Sequence, residues 1–86
     1  MDKFILICSC FGQQKRASEA FSILYPGQPL PPIIKGKDRL YKFAKEHNND
    51  HLLAVSKLSG KFAYYVEMEG DKIVKEVDLI HGRRIA

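Results

Sequence analysis

Apolar positions open the chain as an unbroken run, Phe4-Ile5-Leu6-Ile7-Cys8, with no polar residue interleaved. A strand buried on both faces reads this way, so 3–11 is predicted as a first β-strand, ended by Gly12. From Gln13 to Tyr25 the period lengthens. Ala17, Ala20, Phe21, Leu24 and Tyr25 share one helical face, and Gln13, Gln14, Arg16, Ser18, Glu19 and Ser22 lie largely opposite. Pro26 and Gly27 stop this helix. The stretch 26–34 reads as an extended, proline-rich connector whose Leu30, Ile33 and Ile34 pack it against the body. A second helix is predicted over 37–47, with Leu40, Phe43, Ala44 and His47 on one face and Asn48 and Asn49 as its C-terminal cap.

The last third predicts three strands separated by two hairpin turns, Ser59-Gly60 and Gly70-Asp71. Those turns set Lys61 opposite Leu58 and Lys72 opposite Glu69. Counting outward, Leu53, Val55, Phe62, Tyr64, Val66, Met68, Ile73, Val77 and Leu79 fall on one face. The opposite face receives Ser56, Lys61, Glu67, Glu69, Lys72, Glu76 and Asp78, together with Leu52, Ala54, Tyr65 and Val74. The order β-α-α-β-β-β therefore predicts a single α+β domain over 1–86. Two helices pack on one face of a mainly antiparallel four-stranded sheet that ends in a three-stranded meander. Leu52, Ala54, Tyr65 and Val74, beside the second apolar face of the first strand, then form an open apolar surface for a protein partner or a second copy.

Composition narrows the class. At 86 residues and 45% hydrophobic the chain is long enough for one small core and too apolar for a disordered segment. No apolar run approaches the ~20 residues that span a bilayer, so no membrane association is expected. Two cysteines are too few for a disulfide scaffold. The apolar stretch before Cys8 is shorter than the ~7–15 residues of a signal core, and a cytoplasmic setting is expected.

Charge adds a direction. Fourteen Lys and Arg against ten Asp and Glu give +4, and the excess is uneven. Lys35, Lys37, Arg39, Lys42 and Lys45 crowd the second helix, and Arg83 and Arg84 close the chain. With Tyr41 nearby, these residues are suited to following a phosphate backbone of DNA or RNA.

Other constellations are less complete. Cys8, Cys10, His47 and His51 are the residue types of a two-cysteine, two-histidine zinc site. One residue between the cysteines holds their side chains roughly 6–7 Å apart on a strand, so free thiols are expected and no metal or other cofactor is implied. The pairs Glu67 with Glu69 and Glu76 with Asp78 are expected on the solvated side of the strands, balanced by Lys61 and Lys72. Cys10-Phe-Gly-Gln-Gln-Lys-Arg16 has the spacing Cys-x5-Arg between a strand and a helix. On these residues Phe4–Phe21 resembles the start of the low-molecular-weight protein tyrosine phosphatases. The resemblance implies Cys10 as nucleophile, Arg16 as phosphate clamp and Gly12 as the loop glycine. It departs from that family at Ala17, where a hydroxyl residue is usual, and in lacking any Asp-Pro acid.

The function expected from the sequence is a small, non-catalytic domain contacting nucleic-acid backbone through helix two and the basic tail. The competing reading is a protein-interaction, inhibitor or regulator module of phage or mobile-element type. It acts as a homodimer or in a partner complex through the apolar face. The phosphatase-like site is the third.

Overall fold

The computed structural model describes residues 3–85. Strand β1 (Lys3–Ser9) leads into helix α1 (Gln14–Leu24), and the connector delivers a short strand β2 (Ile33–Lys35). Helices α2 (Lys37–Glu46) and α3 (Asp50–Val55) follow. Strands β3 (Ala63–Glu69), β4 (Lys72–Asp78) and β5 (Arg83–Arg84) complete a five-stranded sheet in the order β2-β1-β3-β4-β5. β1 runs parallel to β2 and antiparallel to β3, so the sheet is mixed, and the first strand lies inside it. None of the described helices is long and apolar enough to cross a membrane.

The α+β class stands, but the layering differs from the expected two helices on one face. A parallel pair requires a crossover connection, and α1 supplies it between β1 and β2. That places α1 on the face opposite α2 and α3. Ile7, Ala63, Tyr65, Val77 and Leu79 meet Ala17 and Phe21 of α1 on one side. Leu6, Cys8, Val66 and Met68 meet Leu40, Ala44, Leu52 and Val55 on the other. The uninterrupted apolar run of β1 thus has a helix layer against each face.

Two further differences concern the C-terminal third. The segment 50–55 is helical, not a strand. Asn48, at φ 50°, ends α2, and the amides of Asn48 and Asn49 donate to Lys45 and Ala44. Asn49 then begins α3, its Oδ1 accepting from the Leu52 amide at 2.9 Å and its Nδ2 donating to the Asp71 carbonyl at 2.8 Å. One asparagine therefore closes one helix, opens the next and ties it to the β3–β4 turn. The hairpin at Ser59-Gly60 is consequently absent, whereas the one at Gly70-Asp71 holds, with Glu69 opposite Lys72.

Beyond that turn the register changes. Met68 pairs with Ile73, but Glu67 pairs with Lys75, leaving Val74 as the extra residue of a β-bulge. A one-residue shift exchanges the faces of everything that follows. Val77 and Leu79 move to the α1 side, and Glu76 and Asp78 turn inward beneath α3.

The expected open apolar surface is not one surface. Leu52, on the inner side of α3, is 0% exposed, and Tyr65, beneath α1, is 3% exposed; they face opposite sides of the sheet. Ala54 and Val74 are exposed but lie on α3 and at the bulge respectively.

Candidate functional site

The cationic residues fall into two groups. Lys35 ends edge strand β2, and Lys37, Arg39, Lys42 and Lys45 follow on α2, which packs beside it. Leu40 and Ala44 point into the core, and that leaves Arg39, Lys42 and Lys45 on the outward side. Among the described residues none of these five forms an ion pair; Lys45 instead places its Nζ 5.5 Å from the centre of the Tyr41 ring. A groove of about 330 Å³ runs between β2 and α2, with Ile33, Ile34 and Phe43 along its floor and Arg39, Lys42 and Glu46 at its rim. Arg83 and Arg84 form β5, the other edge of the sheet, so the two basic groups are separated by three strands.

Cys10 lines a crevice of about 460 Å³ at the carboxyl ends of β1 and β2, with Phe11, Gly36, Lys37 and Lys61. The connections leaving β1 and β2 diverge there to opposite faces of the sheet. Gly36 begins α2 at φ 91°, with the Phe11 ring packed so closely over it that a β-carbon would collide. The thiol of Cys10 packs toward the α2–α3 core and accepts the Phe62 amide at 3.4 Å. Helix α1 already begins at Gln14, so Arg16 sits exposed in its first turn on the other side of the sheet. Cys10 and Arg16 are therefore not brought together around one loop. Cys8 is fully buried, and burial, followed by the Glu76 carboxylate, pushes its thiol well above the ordinary range.

His47 and His51 also separate. His47 packs with its ring tilted against Phe43 at 4.3 Å between centroids and against Phe4 at 5.6 Å. His51, in the first turn of α3, places Nε2 2.8 Å from both carboxylate oxygens of Glu76. Glu76 is 1% exposed, held on the sheet beneath α3 by the bulge. No cluster of three or more His, Cys, Asp or Glu side chains suited to a metal occurs among the described residues. The His51–Glu76 pair was not legible beforehand, because a regular strand from the Gly70-Asp71 turn carries Glu76 to the solvent side.

Asp78, two residues on, accepts hydrogen bonds from the amides of Ile80 and His81 and from His81 Nδ1. Burial pushes its carboxyl up, but these hydrogen bonds prevail and hold it below the usual carboxylate range. Glu67, on the α1 face, is likewise lowered, first by the hydrogen bond from Lys3 at 2.9 Å and then by that from Tyr65 at 2.7 Å. A carboxyl with a folded pKa below its unfolded value contributes stability above the unfolded pKa and loses it as pH falls through the folded one. The melting temperature is therefore expected to hold from neutrality to about pH 5 and to fall below about pH 4. Asp78→Asn with Glu67→Gln should flatten that acid limb. An equally steep limb in the double variant would remove these two groups as its source.

No protein-family model matches the chain, and no curated protein or solved structure is significantly similar to it.

Proposed function

We propose that this domain is a non-catalytic binder of nucleic-acid backbone, contacting it through the β2–α2 edge. The observation that carries this reading is the state of the cations there. Lys35, Lys37, Arg39 and Lys42 lie along one edge strand and the helix that follows it, and none of them is in an ion pair among the described residues. Phosphates release their counterions on meeting such side chains, and each phosphate contacted contributes roughly −0.9 to the slope of log K against log salt on duplex DNA. Asp38 and Glu46 interrupt the surface and limit the number of contacts. Arg83 and Arg84 lie at the far edge, so a ligand seated on α2 does not need them.

Fluorescence anisotropy with a generic DNA duplex and a generic RNA, between about 50 and 200 mM salt, tests the reading. A slope of about −3 to −4 is expected for the unaltered protein. The quadruple variant Lys35→Gln, Lys37→Gln, Arg39→Gln, Lys42→Gln should abolish measurable binding, and Arg83→Gln should change the slope by no more than about 0.3, well short of one lost phosphate contact. A flat salt response, or a quadruple variant that binds as before, rejects it.

A further inference from the structure

We propose that the nucleic acid held at the β2–α2 edge is single-stranded, with one of its bases stacked on the ring of Phe11, an assignment that rests on backbone binding at that edge. Phe11 lies two residues beyond β1 and is 73% exposed. Every other phenyl or phenol ring among the described residues lies against a second ring or a cation, Tyr41 against Lys45 included. Phe11 has neither. Its ring rests instead on the backbone of Gly36, where a β-carbon would fall 2.5 Å from Phe11 Cε2. Backbone thus braces the ring while most of its surface stays open.

The ring lines the crevice of about 460 Å³ whose charged groups are Lys37, Lys61 and Asp38. Neither lysine is in an ion pair among the described residues. Lys37 belongs to the basic edge as well, and Lys35 precedes it across Gly36. Crevice and edge are therefore one continuous surface, on which a strand whose phosphates meet Lys35 and Lys37 brings a base within reach of Phe11. The crevice also lies where the chain leaves parallel neighbours β1 and β2 for opposite faces of the sheet. Open sheets with parallel strands take ligands at such a divergence.

Phosphate contacts alone do not distinguish a duplex from a single strand; the aromatic ring does. In a duplex the base faces are stacked on one another and closed to a side chain. In a single strand they are open, and a base seated on an aromatic ring adds about tenfold or more in affinity with little regard to sequence. Asp38, in the same lining, repels phosphate and leaves the crevice itself to a base. A polyanion with a flat apolar face at every repeat therefore matches both the cations and the ring. An acidic peptide would satisfy the lysines alone.

Oligothymidylate of about 12 nucleotides is the probe, and an abasic strand of the same length, carrying the same phosphates, is its control. By fluorescence anisotropy at about 50 mM salt, the unaltered protein should bind oligothymidylate at least about tenfold more tightly. Phe11→Ala should bring the two strands within about twofold of each other, and so should Phe11→Leu, which keeps apolar bulk without a flat ring. The position is exposed, so both variants should melt within about 3 °C of the unaltered protein. Phe11→Trp should preserve the preference. The chain contains no tryptophan, so that variant's emission reports on this position alone, and oligothymidylate should quench it where the abasic strand does not. Equal binding of the two strands by the unaltered protein, a Phe11→Ala loss of the same size on both, or unquenched emission overturns the single-strand assignment and leaves backbone binding standing. Failure of both strands and of the duplex to bind rejects the two together.

Discussion

Phe21→Ala is expected to lower the unfolding free energy by about 3–5 kcal/mol, the largest effect of any single substitution considered. Phe21 is 1% exposed on α1, with its ring 5.2 Å from that of Tyr25 and 5.4 Å from that of Tyr65. Tyr25 and Tyr65 are themselves 5.1 Å apart, so the three rings form one cluster. Removing the central ring forfeits its transfer free energy and leaves a void that a sheet on one side and a helix on the other cannot close. A domain of this size has about 5–10 kcal/mol in all, so the variant should lose much of its cooperative transition at room temperature. Ile23→Ala is the matched control: Ile23 is 78% exposed on the same helix and should change stability by no more than about 0.5 kcal/mol. Urea unfolding of both variants provides the measurement. A Phe21→Ala loss below about 1 kcal/mol would mean that α1 does not cover the sheet.

That experiment bears on the point where sequence and structure part most widely. The run Phe4–Cys8 requires cover on both faces of β1, and this requirement is met. What remained open was what supplies the second cover. Counting helices cannot tell which face each occupies, because that depends on strand order, and the three residues Ile33–Lys35 that make β2 a parallel neighbour of β1 look like connector. Once β2 pairs with β1, α1 must cross over and the apolar surface around Tyr65 is filled from within the chain. The basic edge was legible as a helix face because lysine spacing follows the helical period regardless of tertiary context. Its separation from Arg83 and Arg84 was not, since it is a consequence of strand order alone.

The segment after Asn49 failed for a local reason. Leu52-Leu53-Ala54-Val55 satisfies both a period of two and a period of 3.6, and so short a run does not discriminate. The deciding signal is the capping side chain of Asn49, which competes with the reading of the same residue as the end of α2. It serves both roles. Glu76 is the sharpest case. A bulge at one valine, with no glycine to announce it, reverses the faces of Lys75–Leu79 and carries a carboxylate into the core. The apolar residues Val77 and Leu79 stay buried either way because helices cover both faces, so their pattern gave no warning.

His51→Ala is expected to cost about 1–3 kcal/mol, although alanine is itself a good helix former at that position. The loss arises from the residue left behind. The buried Glu76 carboxyl is hydrogen-bonded to the imidazole at 2.8 Å, and without that ring a buried polar group is left without its partner. The half exposure of His51 lets water reach part of the site, and this keeps the cost below the ~3–5 kcal/mol of a fully enclosed pair. Glu76→Leu in the His51→Ala background removes the stranded group and extends the apolar layer formed by Val55, Tyr64 and Val66. The double variant should therefore be more stable than His51→Ala alone, and the coupling energy of the cycle should reach at least about 1 kcal/mol. Chemical denaturation of the four proteins at neutral pH measures it. Additive losses would show that the imidazole and the carboxylate do not depend on one another.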